Sequence, residues 1–335
     1  PKIIRDLAVD VPTHARALED LAEEIEAGVL APLTAVEDDD AGRFAVLEPY
    51  VGGPWTALPW YVGEAFLYAR LRRIVGWAAH GADPFLAAKQ REEATLPPDA
   101  EGDDLDTLLL RTLWGNRGDL SLPSARGFTH EHADDLVADD RDAALQLLRD
   151  ARSVGIVLDN AGLELFRDLQ LARRLVAGGA RVTLYAKDRP FFVSDALPID
   201  VERTRQRLKD VDVEVVSHPF FTGPAMLTSS ALPAALSSLW STHDVVVSKG
   251  DCNYRRLVGD APFDPGDRSA FADRVSLPVP VIAVRTLKAE VLVGADSAVV
   301  ARIAAGCDNW LVTGRFGVVQ VANTNIVVDS TGDPA

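Results

Sequence analysis

The residues of this chain that are best placed to do chemistry are an aspartate and an asparagine at the end of a short apolar run. The run SVGIVL is followed directly by Asp159 and Asn160, and a helix-forming segment follows after two small residues. A carboxylate and a carboxamide between a strand and a helix suit a hard cation or a phosphate group. The same pair could instead form a turn that caps the next helix.

A second carboxylate, Asp195, ends the segment FFVSD, which follows the next predicted strand, RVTLYA. Because parallel strands present their carboxyl ends at one edge of a sheet, Asp195 can lie beside Asp159. Alone, Asp195 could also be a helix cap. Together with Asn160, the two aspartates predict a site for one divalent cation, and oxygen ligands leave the identity of that cation open.

Two further predicted strands are followed by cationic side chains. The strand DVVVS leads into SKGDCNYRRL, and the strand VPVIAV leads into RTLKAE. Arginine and lysine both bind phosphate, so these segments predict a phosphate side of the same pocket, although a solvated loop could also explain the first of them. The polar and charged residues concerned are Lys249, Asp251, Asn253, Arg255, Arg285 and Lys288.

Glu164 and Asp168 are four residues apart on the helix that follows Asn160, so they share one face of it. Acidic residues near the start of a helix are also favoured by the helix dipole. The pair therefore has two explanations, a favourable interaction with the dipole or a role in supporting the predicted cation site.

The elements around these residues indicate an α/β protein with a helical N-terminal part. Helical apolar spacing occurs in Thr13–Gly28, Trp60–Gly81 and Leu105–Trp114, which predicts a helical domain over residues 1–125. A polar linker is predicted over residues 126–149. Residues 150–335 alternate between strands and helices, which predicts a three-layer αβα domain with a mainly parallel sheet.

Composition limits the possible functions. The chain has 335 residues, of which 47% are hydrophobic, and a net charge of −16. This charge argues against a nucleic-acid partner, and a small phosphorylated metabolite is the expected partner instead.

No membrane span or signal peptide is expected. The two cysteines are expected to be reduced, as in a cytoplasmic protein. Nothing in the sequence indicates an oligomeric state.

Several common motifs are absent from the sequence. It contains no phosphate-binding P-loop, no dinucleotide-binding glycine pattern and no G-x-S-x-G nucleophile elbow. His130 and His132 flank Glu131 in a pattern that could bind a metal ion, but the linker contains no evident third ligand. The acidic run Glu37–Asp40 is expected to be a solvated loop.

The segments DNAGLELFRDL, FFVSD, SKGDCNYRRL and RTLKAE resemble those of the damage-control phosphatase family, formerly a domain of unknown function. PWYVGEAFLYARLRRI and LWGNRGDLS resemble helical-domain motifs of its sugar-phosphate phosphatase subgroup, also described as acidic-residue methyltransferase-like. The resemblance implies a divalent metal (Mn, Co, Ni or Mg) held by Asp159, Asn160 and Asp195, which are then the catalytic residues. The substrate contacts that it implies are Glu64, Arg70, Asp251, Asn253, Tyr254, Arg255 and Lys288, with Glu164, Asp168 and Lys249 in support.

The resemblance is incomplete in the helical part. A tyrosine–arginine pair of the family pattern corresponds here to Tyr68-Ala69-Arg70, so that only Arg70 matches an arginine. This departure bears on substrate choice more than on the metal site.

The function expected from these residues is metal-dependent hydrolysis of phosphorylated metabolites such as fructose 1-phosphate or fructose 6-phosphate. Lys288 and Arg255 would offset the phosphate charge, and Glu64 would bind sugar hydroxyls. The nucleophile would be water or the Asp159 carboxylate. Water is favoured because residue 161 is alanine, so the second acid of a D-x-D motif is missing.

Two alternatives to hydrolysis remain at this point. One is methyl transfer to protein carboxylates from S-adenosylmethionine, against which the missing glycine-rich loop argues. The other is a sugar-phosphate sensor without catalysis, against which the complete cation site argues.

Overall fold

The strands that follow residue 135 form one sheet of seven strands. A computed structural model describes residues 2–33, 42–81, 83–99, 102–116, 135–209, 211–266 and 270–323. The strands are β1 Leu136–Asp139, β2 Ser153–Val157, β3 Arg181–Ala186, β4 Glu214–Ser217, β5 Val245–Lys249, β6 Val281–Thr286 and β7 Gly317–Ala322. Their order is β1-β7-β6-β5-β2-β3-β4, and only β6 and β7 pair antiparallel. The predicted α/β class with a mainly parallel sheet is confirmed.

Helices cover both faces of this sheet. Alternate residues of β2 enter two different cores, since Ile156 packs in one apolar cluster and Val157 in the other. Strands buried on both faces are typical of parallel sheets between two helical layers. The helices of this part are α7 Arg141–Asp150, α8 Leu163–Ala177, α9 Pro198–Arg205, α10 Ala234–Trp240, α11 Gly250–Val258, α12 Ala270–Arg274 and α13 Ser297–Ala304.

The N-terminal part is helical in the residues that are described. Its helices are α1 Lys2–Asp10, α2 Ala15–Ala27, α3 Trp60–Ile74, α4 Trp77–His80, α5 Leu86–Glu93 and α6 Leu105–Gly115. The long helix expected from Trp60 to Gly81 is broken by Gly76, which adopts a left-handed conformation with φ 75°. Such a conformation favours glycine and interrupts the helix there. No helix in the described part of the chain is long and apolar enough to span a membrane.

A strand and a helix lie in the region for which the sequence predicted a linker. Residues 117–134 lie outside the described ranges, but β1 and α7 occupy residues 136–150, within or just beyond the linker predicted over 126–149. Strand β1 was not predicted because it has only four residues, ends in aspartate and is surrounded by polar sequence. Helix α6, predicted in the helical domain, packs its Leu109 and Leu113 in the core beside the sheet.

The arrangement of the strands leaves a crevice beside β2. The chain runs outward from β2 through β3 to β4 and then returns to the other side of β2 as β5. Ligands bind outside the carboxyl ends of the strands at such a reversal of strand order. Aromatic residues of the N-terminal helices close one side of this region, where Tyr68 of α3 meets Phe192 edge to face with ring centroids 4.9 Å apart.

Candidate functional site

Asp159 and Asn160 lie just beyond the carboxyl end of β2, and both are buried. Asn160 Nδ2 donates to Asp159 Oδ2 and to Glu164 Oε2, each at 2.9 Å, and Ser194 Oγ donates to Asn160 Oδ1 at 2.7 Å. Neither residue caps α8, because the Leu163 amide of its first turn donates to Glu92 instead. Their side chains are thus held toward one another at the edge of the sheet.

Asp195 lies beside this pair, as the strand pattern predicted. An isolated β-bridge joins Asn160 and Asp195, and the Ala196 amide donates to the carbonyl of Asp159 at 2.9 Å. The Phe192 amide donates to Asp195 Oδ2 at 2.5 Å. The buried ammonium of Lys89, from α5, donates to the Asp195 carbonyl at 2.6 Å. The N-terminal helices therefore help to fix the position of Asp195.

Asn116 is a site residue that the sequence did not single out. It is buried at the end of α6, and its Nδ2 donates to Asp159 Oδ2 at 3.1 Å and to Glu164 Oε2. Its Oδ1 accepts a hydrogen bond from the Thr286 hydroxyl, and its carbonyl accepts one from Lys288 Nζ at 2.7 Å. In the sequence, Asn116 is marked only by its place in the segment LWGNRGDLS. The spacing of residues alone does not reveal what role that segment has.

Asp159 lies in a buried cluster of carboxylates. Burial raises the pKa of Asp159 well above its usual value, and the carboxylates of Glu164 and Asp195 raise it further, against the opposing charges of Lys187 and Lys288. A bound cation would offset this charge. Two carboxylates and one amide oxygen are also the ligand types that hard divalent cations prefer.

Glu164 and Asp168 have a shared cationic partner. Lys249 Nζ, at the end of β5, lies 2.8 Å from Glu164 Oε1 and 3.1 Å from Asp168 Oδ1, and it donates to the Thr112 carbonyl. All three charged side chains are almost fully buried. Burial lowers the pKa of Lys249, but the two carboxylates outweigh this effect and raise it to about 12. Lys249 is therefore an ammonium ion that joins β5 to α8.

Asp251 holds the segment that carries Lys288. Its Oδ1 accepts hydrogen bonds from Arg285 Nε at 2.8 Å and from the Lys288 amide at 3.1 Å. The buried guanidinium of Arg285 also donates to the carbonyls of Ala289 and Val291. These contacts fix the turn after β6, so that the Lys288 side chain lies in the cavity described below.

Arg255 is engaged by two carboxylates. Its NH1 donates to Glu64 Oε2 at 2.8 Å, and its Nε donates to Asp260 Oδ1 at 2.7 Å. Burial raises the pKa of Glu64, and Arg255 opposes that change. The arrangement makes Arg255 a support for Glu64, and its positive charge is already balanced within the protein.

A cavity of about 650 Å³ joins these groups. Some of the predicted site residues line it, namely Glu64, Asp159, Asn160, Asp195, Asp251, Arg255 and Lys288. Its walls also include apolar side chains from both parts of the protein, among them Trp60, Tyr68 and Phe192. The volume is within the range of about 300–1,000 Å³ that is usual for small-molecule sites.

Other predicted residues do not line the cavity. Arg70 makes a bidentate ion pair with Glu24 at 2.6 and 2.8 Å. The helical turn of α11 directs Asn253 and Tyr254 into the protein, where Asn253 donates to the Leu158 carbonyl and Tyr254 to Gln320. In a helix of nine residues, the sequence pattern alone does not show which side chains face the cavity and which face the core. Glu164, Asp168 and Lys249 lie behind the residues that line the cavity.

Within the described ranges, no group of three histidine, cysteine, aspartate or glutamate side chains could hold a metal ion. The candidate set at Asp159 differs from such a group because its third donor is the amide of Asn160. Cys252 and Cys307 are free cysteines. The segments with His130, His132 and Glu37–Asp40 lie outside the described residues.

Oxygen donors and a lysine side chain thus line one cavity at the carboxyl edge of a parallel sheet, which is where ligands bind in such sheets. A family model described as the damage-control phosphatase ARMT1-like domain matches residues 13–303. The chain therefore belongs to this family of phosphatases, which are hydrolases that act on phosphate esters, and the resemblance seen in the sequence motifs is confirmed.

Known proteins support this assignment along most of the chain. The damage-control phosphatase ARMT1 of Xenopus laevis is 27% identical over 336 residues, which cover 81% of this chain and 76% of that protein. The protein of the same name from Danio rerio is 28% identical over 333 residues, covering 80% and 74%. The crystal structure of a DUF89 family protein from Pyrococcus horikoshii has a TM-score of 0.51 at 17% identity and covers 87% of this chain and 92% of that one. This last similarity supports the fold.

Proposed function

We propose that this protein is a divalent-metal-dependent phosphatase for small phosphorylated metabolites, with sugar phosphates such as fructose 1-phosphate and fructose 6-phosphate as its substrates. The observation that carries the proposal is that Asp159, Asn160 and Asp195 line the same cavity as Lys288. A cation site and a fixed cationic side chain in one cavity are what a phosphoryl group requires.

The three oxygen donors fit a divalent ion. They are buried and hydrogen-bonded to their neighbours. Burial, together with the carboxylates of Glu164 and Asp195, raises the pKa of Asp159, and a bound cation would stabilise its charged form. Asp159, Asn160 and Asp195 would hold the ion, which when bound polarises the phosphoryl group and offsets its charge. We propose Mn²⁺, Co²⁺, Ni²⁺ or Mg²⁺, all of which accept oxygen ligands.

Lys288 would bind a non-bridging phosphate oxygen from the side of β6. Its backbone is fixed by Asp251 and its ammonium by the Asn116 carbonyl, so the charge is oriented before substrate arrives. Glu64 would accept hydrogen bonds from sugar hydroxyls while Arg255 holds its carboxylate. The sequence suggested a phosphate contact for Arg255, but its two carboxylate partners make support of Glu64 the better proposal.

The bond that breaks is the phosphorus–oxygen bond of the ester. A water molecule adds its hydroxyl to phosphorus and its remaining proton goes to the departing alcohol, so the products are inorganic phosphate and the free sugar. We favour water over the Asp159 carboxylate as nucleophile because residue 161 is alanine, so the second acid of a D-x-D motif is missing.

The proposal is tested by phosphate release from a panel of sugar phosphates after the protein has been stripped of metal and supplied with each ion in turn. We expect metal-dependent turnover that falls at least about 100-fold in Asp195→Asn. Calorimetric titration with Mn²⁺ should show the same variant to bind the ion more weakly. Asp142→Asn, which changes an exposed aspartate of α7, is the matched control. A folded protein that releases no phosphate with any ion would refute the proposal.

A further inference from the structure

Helix α3 presents one continuous face to the cavity. Trp60, Glu64 and Tyr68 follow one another at intervals of four residues, and all three line the cavity. Residues four apart lie above one another on a helix. This face therefore places an indole ring, a carboxylate and a phenol ring in a row along the same wall.

Trp60 is unusually exposed for a tryptophan. It is 72% exposed, whereas Trp114, Trp240 and Trp310 are buried in the cores. All six tryptophans lie in the described ranges. Trp55 and Trp77 are partly buried, and Trp60 is the one among the six that is mostly exposed. Aromatic side chains of this size are normally covered because of the apolar area that they bury. Its indole thus offers a large apolar surface at the cavity that is mostly exposed in the described part of the chain.

The cavity that Trp60 lines contains several carboxylates that can accept hydrogen bonds. Glu64 lies one turn away, with its carboxylate held by Arg255 at 2.8 Å. Asp251, Asp260 and Glu290 also line the cavity. Carboxylates accept hydrogen bonds but do not donate them when ionised. They favour a ligand with several hydroxyl groups and disfavour one with additional negative charges, such as a nucleoside polyphosphate.

We propose that Trp60 determines substrate specificity by stacking its indole on the C–H face of a sugar ring, while Glu64 accepts hydrogen bonds from the hydroxyls of that ring. The inference rests on the proposed phosphatase function and narrows it to phosphorylated sugars closed in a furanose or pyranose ring. An open-chain sugar alcohol has the same hydroxyls but offers no rigid apolar face. Ring closure is therefore the property that Trp60 recognises.

The test compares fructose 6-phosphate with hexitol 6-phosphate, its reduced open-chain counterpart, in the wild-type protein, Trp60→Ala and Trp60→Phe. We expect the wild type to prefer the ring form. Trp60→Ala should raise the KM for fructose 6-phosphate about three- to tenfold with a much smaller change in kcat, so that most of the preference is lost. Trp60→Phe should retain most of it. Val46→Ala, an exposed apolar residue that does not line the cavity, is the control.

An equal loss on both esters in Trp60→Ala, or a wild type without preference for the ring, would overturn the inference and leave the phosphatase proposal intact. If no ester is hydrolysed with any metal, the phosphatase proposal fails, and calorimetric titration with the same two esters still tests the stacking. Tighter binding of the ring form that disappears in Trp60→Ala would then support the role of Trp60, and equal binding of both esters would refute it.

Discussion

A single residue, Asn116, contacts both the proposed metal ligand Asp159 and the proposed phosphate-binding residue Lys288. Its side-chain amide donates to Asp159, and its carbonyl accepts from Lys288. The proposed metal ligand and the proposed phosphate-binding cation are therefore held relative to one another by a residue that does not itself line the cavity. Partners of this kind commonly matter nearly as much as the ligands that they orient.

We predict that Asn116→Ala weakens Mn²⁺ binding about 10–100-fold and lowers kcat/KM by a similar factor, because Asp159 loses a hydrogen bond that orients it. Calorimetry and phosphate release measure the two effects separately. Asn309→Ala, which changes an exposed asparagine, is the control and should alter neither quantity. Unchanged metal affinity in Asn116→Ala would show that the hydrogen bond to Asp159 has no orienting role.

The glycines at the two ends of α11, Gly250 and Gly259, differ in what an added side chain would contact. Gly250 has φ 79°, and a Cβ atom placed on it would lie 1.8 Å from Asp159 Oδ2. Gly259 has φ 89°, and the nearest atom to a Cβ there is Phe263 Cζ, at 3.8 Å. The backbone conformation at both positions disfavours any residue other than glycine. Only at Gly250 would an added Cβ atom also collide with the proposed metal ligand, Asp159.

Gly250→Ala and Gly259→Ala should each lower the free energy of unfolding by about 1–3 kcal/mol through backbone strain. Only Gly250→Ala should also abolish metal-dependent phosphatase activity, since its methyl group must displace Asp159. Urea unfolding and phosphate release on both variants check this difference. Full activity in a folded Gly250→Ala protein would contradict the proposed place of Asp159 in the site.

Helix α8 and strand β5 are joined by buried charges. Lys249 is surrounded by Glu164, Asp168 and the Thr112 carbonyl, which comes from α6. Three elements thus meet at one ammonium group. If that group is removed, two carboxylates remain in the core with less compensation, and a buried charge without a partner is costly.

Lys249→Met is therefore expected to lower the free energy of unfolding by about 3–5 kcal/mol. Lys2→Met, which removes an exposed ion pair with Asp6, should change it by less than about 0.5 kcal/mol. Urea unfolding of both variants at pH 7 makes the comparison. Equal, small effects would show that the ion cluster of Lys249 contributes nothing net to stability.

The positions of the strands and the acidic residues could be predicted because both depend on local pattern. The apolar run SVGIVL before Asp159 predicts a buried strand from local sequence alone. Parallel strands then bring the residues at their carboxyl ends together. The roles of Asn116, Lys89 and Arg255 could not be predicted in this way. Each depends on a partner far away in sequence, and spacing alone does not identify which cation meets which carboxylate. Strand β1 was missed because four residues carry too little apolar pattern.

The whole molecule should also lose stability in mild acid through His243. Its Nδ1 lies 2.9 Å from Ser153 Oγ and its Nε2 lies 2.7 Å from Tyr185 OH. Burial lowers the pKa of His243 from its usual 6.5, and Arg181 lowers it further, against opposing effects of Glu214 and Asp244. Below pH 6.5 the unfolded chain therefore takes up a proton that the folded protein does not, so the free energy of unfolding falls as the pH falls.

This effect is measured by urea unfolding between pH 7.5 and pH 5 in the wild type and in His243→Gln. The variant should be less stable at pH 7.5 but should lose less stability on acidification, because the histidine no longer titrates on unfolding. His80→Gln, at an exposed position, should keep the wild-type dependence. Parallel curves for the wild type and His243→Gln would refute the assignment.

Strand β7 lies between β1 and β6, although it is the last strand of the chain that is described. In the described sheet, β7 is the neighbour with which β1 pairs. On the ribosome, β1 leaves the exit tunnel early and must wait for β7 for roughly ten seconds or more at usual synthesis rates. During that time β1 lacks its partner strand, and β6, once it has been synthesised, also has an unpaired edge until β7 follows. Unpaired strand edges invite aggregation. A chain that stops before Gly317 should therefore sediment with aggregates, and nascent chains of this protein are expected to need protection by chaperones until translation is nearly complete.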